Sequence, residues 1–582
     1  MVFLSPERPG AALLVRFARR QFAPNRADLI ALFLIAAGAV LIAHGAEQMG
    51  RPLAQLQAAP IVLDIARLPG YALLTTLRMF AAIFASLLFT FVVATLAAKS
   101  KKAELIIVPA LDILQSVPVL GFLTFTVTFF MGLFPGRELG VECAAIFAIF
   151  TAQAWNMAFS FYQSLRTLPG DLDEVSRQFG LSPWQRFLRL ELPFAIPALV
   201  WNTMMSMSGG WFFVVASEAI TVGKTNIMLP GIGSWLALAI QRQDFHAIGW
   251  AVLAMGVVIV LYDQLLFRPI VAWADKFRFE QTASQEEPRS WFFDVLRRSR
   301  LLARLGRPIT AAVKAAPRLP RMTFRLPEIR DPRVVRGLDG LWLSLVIVAA
   351  GVGAWIVFHF VASELSLRDA GAALGLGFLT LIRVVVLIAL ASLVWVPIGV
   401  WIGLRPAWAE RIQPVAQFLA AFPANVLFPF AVMLIVAWRL NPDVWLSPLM
   451  ILGTQWYILF NVIAGAAALP NDLKEAASIF HVRSWQWWRD VVLPGIFPYY
   501  VTGALTASGG SWNASIVAEV VSWGHTHLRA AGLGAFIADA TAAGDYPRVA
   551  LGIAVMSFFV ILLNRTLWRP LYAFAERRLR LA

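Results

Sequence analysis

The chain has 582 residues, 59% of them apolar and only 14% charged, with 22 Trp, 43 Phe and a mean hydropathy of +0.70. A soluble chain is typically about 45–50% apolar and about 25% charged, so a water-soluble globule, a disordered chain and a coiled coil are excluded in favour of an integral membrane protein. The net charge of +15 fits cytoplasmic loops better than nucleic acid, and Cys143, the single cysteine, admits no disulfide within the chain.

A helix of about 20 apolar residues crosses a bilayer. In chain order, apolar runs predict spans over 28–46, 72–98, 113–134, 141–163, 194–222 and 247–267. After a break they predict 339–362, 377–403, 415–438, 445–468, 495–523 and 548–567. Arg16, Arg19, Arg20 and Arg26 precede the first run, and no small-residue cleavage site ends it, which predicts a retained span. Lys99, Lys101, Lys102, Arg166, Arg177, Arg186 and Arg189 fall on the same side as that basic N-terminus. Fewer basic residues fall opposite, so both termini are expected in the cytoplasm. Residues 268–336 are rich in Pro and Arg and partly amphipathic around Trp291–Leu305. Such a segment suits a tether lying on anionic lipid. The expected organisation is a first repeat over 1–275, a basic cytoplasmic linker over 276–336 and a second repeat over 337–582.

The two halves are copies. A shift of 305 pairs Thr75 and Arg78 with Thr380 and Arg383, and Pro118 with Pro423. After a four-residue adjustment a shift of 301 pairs Trp155 with Trp456, Glu174 with Glu475, Pro193 with Pro494, Trp211 with Trp512, Glu218 with Glu519, and Gly231 and Gly233 with Gly532 and Gly534. Each half has an even number of spans, so the repeats run parallel, related by an axis along the membrane normal.

Between the fourth and fifth spans of each half lies a regular loop, 169–190 and 470–491. Each reads as a short helix, a turn and a second short helix. Pro169 and Pro470 favour a helix start, with acidic residues suiting its positive end. Gly180 suits a left-handed turn, and Ser182 and Ser484 suit the cap of the next helix. The first copy has Glu174-Val175-Ser176, Gly180 and Leu192-Pro193; the second has Glu475-Ala476-Ala477, His481 and Leu493-Pro494. The pattern Glu-Ala-Ala, three residues, Gly, nine residues, Ile-x-Leu-Pro resembles the cytoplasmic signature of permeases in ATP-binding-cassette importers. His481 in place of Gly departs from it.

Glu218, Gly223 and Gly231-Ile232-Gly233, repeated as Glu519, Gly524 and Gly532-Leu533-Gly534, resemble the nitrate/sulfonate/taurine/bicarbonate group, as does Asp112–Pro118. The resemblance implies an all-α type I importer permease fold with about twelve spans and the two usual permease chains fused into one. It implies two ATPase subunits gripping the loops, ATP and Mg bound by those partners, and substrate delivered by a periplasmic or lipid-anchored binding protein. The sequence has no Gly-x4-Gly-Lys-Ser/Thr phosphate loop, so no ATPase site, catalytic residue or metal site is expected here. The expected location is a bacterial inner membrane, with lipid as a further partner.

Polar residues within spans are costly and often functional. Gln153, Asn156, Asn202, Ser206 and Ser208 are candidates to line the pathway in the first half; Gln455, Asn461, Thr502, Thr506 and Asn513 are candidates in the second. Interhelical hydrogen bonding is the competing role for each. Arg78 and Arg383, near the outer side, suit either an anion site or a structural partnership with Glu218 and Glu519. A gradient-driven secondary transporter with two parallel six-helix repeats is the alternative function. It needs ionisable coupling groups at mid-membrane, which the spans largely lack, and it leaves the two loops without a purpose.

Overall fold

The computed structural model describes residues 26–49, 61–115, 117, 119–121, 123–222, 225–277, 290–299, 304, 307–308, 311, 332–524 and 526–578. The basic N-terminal stretch, Pro118, Gly223 and most of the linker lie outside the described residues. The first half runs α1 (Arg26–Met49), α2 (Leu68–Lys99), α3 (Lys101–Leu114), α4 (Leu123–Leu133), α5 (Leu139–Arg166), α6 (Gly170–Gln178), α7 (Pro183–Arg186) and α8 (Leu192–Glu218). A hairpin of β1 (Ala219–Val222) and β2 (Thr225–Met228) follows, then α9 (Ile232–Gln241), α10 (Phe245–Tyr262) and α11 (Arg268–Ala274). The linker contributes α12 (Trp291–Arg298).

The second half repeats the order: α13 (Pro332–Ala362), α14 (Leu367–Gly403), α15 (Pro406–Ala421), α16 (Phe428–Ala437), α17 (Pro442–Trp445), α18 (Gln455–Ala467), α19 (Asn471–Ile479), α20 (Ser484–Trp487) and α21 (Leu493–Ala518). It closes with β3 (Val520–Trp523), β4 (Thr526–Arg529), α22 (Leu533–Ala543), α23 (Tyr546–Leu563) and α24 (Arg569–Arg578).

Helix is present in all twelve predicted stretches, but the spans are not twelve uninterrupted rods. Among the described residues six helical runs are long and apolar enough to cross a membrane, or eight if each of two bent pairs is one span. The predicted span 415–438 is bent by 79° between α15 and α16. Phe422, the last residue before Pro423, takes an extended ψ of 125°, because the proline ring disfavours helical geometry in the residue preceding it. Its counterpart 113–134 is likewise divided into α3 and α4. The span 445–468 bends by 45° ahead of Gln455.

The predicted spans 194–222 and 495–523 end early, at Glu218 and Ala518, and their last residues enter antiparallel hairpins. The runs Ala-Ile-Thr-Val and Val-Val-Ser-Trp are rich in β-branched or aromatic residues and suit strands as well as they suit lipid. After β3, Gly524 takes a positive φ of +59°, the left-handed geometry that tight hairpin turns favour.

Four π-helical turns sit at repeated positions: Phe187–Glu191 and Trp488–Val492, then Asp263–Phe267 and Asn564–Trp568. Each is followed within two residues by a proline (193, 494, 269 and 570). A proline lacks the N–H for an i→i−4 bond, and its ring presses on that carbonyl. Widening the preceding turn to i→i−5, as in Leu192 N–H to Phe187 O, relieves the clash.

By contacts the chain divides into two units. The smaller comprises Met1–Ala46, Leu168–Val200 and Leu261–Thr323. In it α12 packs on α11, Ser299 donates to Asp28 at 2.7 Å, and Trp291 Nε1 donates to Gln264 at 3.3 Å. The larger holds the remainder, including the apolar cores of both repeats. Trp211 and Trp512 are both buried there, at matched positions.

Within the larger unit the repeats meet reciprocally. The Val119 N–H, in the break between α3 and α4, donates to Asn513 Oδ1 on α21 at 2.7 Å. Asn425, in the break between α15 and α16, donates to the Phe212 carbonyl of α8 at 3.1 Å. Phe212 and Asn513 are related by the shift of 301, so each broken third span leans on the fifth span of the other half. The Gly524 N–H of the second hairpin donates to Ile240 O at the end of α9 at 3.2 Å.

Candidate functional site

Two repeated constellations stand out. The first is the pair of loops. In loop one α6 carries Asp171 and Asp173 in its first turn, where they complement the helix dipole. Gly180 then takes a left-handed φ of +66°. Its N–H donates to Arg177 O at 2.9 Å, and the Leu181 N–H donates to Ser176 O at 3.1 Å, a Schellman closure. Ser182 and Gln185 form a reciprocal capping box that starts α7. Asp173 binds both Arg177 at 2.7 Å and Arg186 at 3.0 Å, tying α6 to α7.

Loop two closes in the same way. His481 takes φ +52°, its N–H donates to Ser478 O at 3.2 Å, and the Val482 N–H donates to Ala477 O at 2.9 Å. His481 therefore keeps the turn geometry that its departure from Gly puts in question. A non-glycine residue there costs about 1–2 kcal/mol, and histidine is among the side chains enriched in this region. The expected cap is corrected: Ser484 is the first residue of α20 with φ +52°, Arg483 holds the cap position, and no side chain caps the helix. The residue aligned with the capping Ser182 is Arg483.

The second small residue of the Glu-Ala-Ala pattern, Ser176 or Ala477, is buried, whereas Glu174 and Glu475 are exposed. Beyond each short helix Phe179 and Phe480, at matched positions, stand 79% exposed. Leu192-Pro193 and Leu493-Pro494 begin α8 and α21 directly after the π turns.

The second constellation is a guanidinium held by two carboxylates. Arg78 on α2 donates through Nε and Nη2 to both oxygens of Glu142 on α5, at 2.7 and 2.6 Å. Its Nη1 donates to Glu218 at 2.7 Å and to the Pro230 carbonyl at 2.9 Å. Glu218 also accepts the Gly233 N–H at 2.6 Å, while Thr75 Oγ1 accepts the Ile232 N–H at 3.0 Å. The three charged side chains are 0–1% exposed. Charges removed from water this completely persist only when paired and hydrogen-bonded throughout. The cluster thereby staples α2, α5, the end of α8 and the start of α9. A Cβ on Gly231 would fall on the Glu218 carboxylate, and one on Gly233 on the Val215 carbonyl, which explains both glycines.

The second half repeats the cluster more loosely. Arg383 donates to Glu519 at 3.1 Å and to Ala531 O at 2.9 Å, and it reaches Asp443 at 3.4 Å. Thr380 donates to Glu519 at 2.9 Å and accepts the Leu533 N–H at 2.9 Å. Asp443 stands 301 residues after Glu142 and is one methylene shorter; its side chain is 52% exposed and that of Arg383 14%. Sequence reasoning missed Glu142 and Asp443. Their signal was available, because both are acids at the start of an apolar run and share the repeat shift.

A family model described as "Binding-protein-dependent transport system inner membrane component" matches residues 86–268 and 395–580, one copy per repeat. The chain belongs to this family. It is thus a multi-pass inner-membrane transport component with the all-α permease fold in duplicate. Among similar proteins is the bicarbonate transport system permease protein CmpB of Synechococcus elongatus, 28% identical over 186 residues, 32% of this chain and 64% of that protein. Another is the nitrate import permease protein NrtB of Leptolyngbya laminosa, 28% identical over 182 residues, 31% of this chain and 62% of that protein. The glycine betaine/carnitine transport permease protein GbuB of Listeria monocytogenes is 29% identical over 170 residues, 29% of this chain and 54% of that protein. The matches thus span under two thirds of the length of each of these relatives.

In this permease the polar span residues are mostly occupied. Asn202 donates to Ser160 at 2.7 Å, and Ser208 donates across the repeats to Ala420 O at 2.8 Å. Gln455 accepts from Trp395 Nε1 at 2.9 Å, and Asn461 donates to Tyr457 O at 2.8 Å. Thr502 and Thr506 donate to the carbonyls four residues back. Asn156 is exposed. Gln153 Oε1 and Ser206 Oγ are buried without a hydrogen-bond partner among the described residues.

Proposed function

We propose that the chain is the fused translocation subunit of an ATP-driven importer. Two ATPase subunits dock on the loops 169–190 and 470–491 at the cytoplasmic face, where both termini also lie. The observation that carries this reading is the pair of α6/α7 and α19/α20 knobs, each with the same left-handed turn and an exposed phenylalanine at the same register. An apolar side chain held out on a rigid turn buries itself in a partner's pocket. ATP with Mg bound by those partners supplies the energy, and an extracytoplasmic binding protein supplies the solute.

The solute is a small anion such as nitrate, bicarbonate or a sulfonate. The similarity to CmpB, a bicarbonate permease, and NrtB, a nitrate permease, supports this class. Arg78 and Arg383 are not its receptors in this reading, since each already serves two carboxylates. The Ser206 hydroxyl, buried without a partner among the described residues, and the exposed Asn156 are the better candidates to donate to it, since the Gln153 amide N–H already donates to Met79 Sδ at 3.1 Å. The test is uptake by proteoliposomes holding the chain, its ATPases and its binding protein. ATP-dependent uptake of nitrate or bicarbonate supports the reading. Solute movement driven by an ion gradient without ATP replaces it with the secondary transporter.

A further inference from the structure

A cavity of about 680 Å³ opens in the second half between the C-terminal third of α14, α20 with the π turn after it, the start of α21 and α24. Its size is that of a ligand site, roughly 300–1,000 Å³. Leu393, Trp485, Trp488 and Phe574 give it apolar walls, and Arg489 stands in its lining. Leu393 and Trp485 are largely exposed. On the membrane-spanning α14 such an exposed leucine meets acyl chains rather than water, and tryptophans at the end of a span, such as Trp485 and Trp488, suit headgroup level.

The inner polar groups need nothing from a ligand. Ser392 Oγ donates to Ile388 O at 2.7 Å and shares a hydrogen bond with the Tyr500 hydroxyl at 3.0 Å. Arg489 is different: its side chain is 75% exposed and its ion pair with Asp490 is long, at 3.9 Å. An apolar slot with one cation at its rim matches an acyl chain carrying an anionic headgroup. The first half differs in sequence at the matched positions, where Leu87, Leu188 and Leu199 stand for Ser392, Arg489 and Tyr500.

We propose that this cavity binds one anionic phospholipid from the leaflet on the side of loop two, with an acyl chain between α14 and α21 and the phosphate on Arg489. The proposal rests on the reading that loop two lies at the cytoplasmic membrane surface, and it makes loop two, not loop one, lipid-braced.

The test is native mass spectrometry of the full chain, purified with and without ATPase subunits and supplied with equal phosphatidylglycerol and phosphatidylcholine. One phosphatidylglycerol per chain is expected to survive detergent dilution. Arg489→Glu lowers that retention at least about fivefold, and Arg489→Lys keeps it. Ser392→Trp fills the slot and abolishes it, whereas Leu87→Trp, at the matching position of the first half, does not. Equal retention of both lipids by the parent chain overturns the proposal, as does retention undiminished in both Arg489→Glu and Ser392→Trp. Because the chain is also measured without ATPases, failure of the importer reading leaves the lipid result intact.

Discussion

Arg78→Met removes the one cation from a site that holds two carboxylates away from water. Four hydrogen bonds go with it, two to Glu142 and one each to Glu218 and Pro230 O. Leaving buried charge unpaired costs about 3–5 kcal/mol. The same change at Arg383 strands Glu519, but Asp443 already reaches solvent. An exposed pair contributes only about 0–1 kcal/mol, so Arg383→Met falls between the limits, at about 1–2 kcal/mol. The two variants differ by about 2–3 kcal/mol, a roughly 30- to 150-fold difference in the unfolded fraction at 1.36 kcal/mol per tenfold. Detergent-purified variants heated in steps and read by fluorescence size-exclusion give the ranking. Arg78→Met is expected to lose its monodisperse peak first, with Arg383→Met between it and the parent. Adding Glu142→Met to Arg78→Met recovers part of the loss, because one of the two stranded charges is gone. Equal loss in the two arginine variants, or parent-like behaviour of Arg78→Met, would refute the reasoning.

Three further outcomes follow from the geometry. Gly231→Ala and Gly532→Ala place a methyl on the Glu218 and Glu519 carboxylates and are expected to cost about 1–3 kcal/mol each; Gly209→Ala meets the Tyr457 hydroxyl at an ordinary 3.5 Å and serves as the neutral control in the same heating assay. His481→Gly releases a left-handed residue worth about 1–2 kcal/mol, offset in part by glycine's greater freedom, so it leaves loop two at least as resistant to limited proteolysis, whereas His481→Val makes it more sensitive. Asn513→Leu strands the Val119 N–H, a loss of about 1–3 kcal/mol, and hydrogen exchange at Val119 is expected to rise while exchange in β1–β2 stays unchanged.

Loops 169–190 and 470–491 were legible in the sequence because their signals are local, and the repeat because its matches share one shift but for a four-residue adjustment. Gly180 and the Leu-Pro steps declare turns and helix starts by covalent geometry. The bends inside the predicted spans were not legible because hydropathy reads composition, not direction. Phe422-Pro423 bends a span that is apolar on both sides, and Ala219–Val222 is as apolar as the helix it leaves. The Arg78 cluster was half legible: Glu218 was in view, but Glu142 sits at the very start of an apolar run and looks like a loop acid. The polar residues of the fifth span were legible as polar and no further. Thr502 and Thr506 satisfy themselves on their own helix, which no spacing rule separates from lining a path.

The central claim, two ATPase docking sites per chain, is tested most directly by stoichiometry. The chain is purified gently from native membranes, and proteins carrying a Gly-x4-Gly-Lys-Ser/Thr phosphate loop are counted per chain by native mass spectrometry. The account predicts two for the parent, one for Phe179→Asp, one for Phe480→Asp and none for the double variant. A chain that emerges alone yet still moves solute, or a double variant that keeps both ATPases, would contradict it.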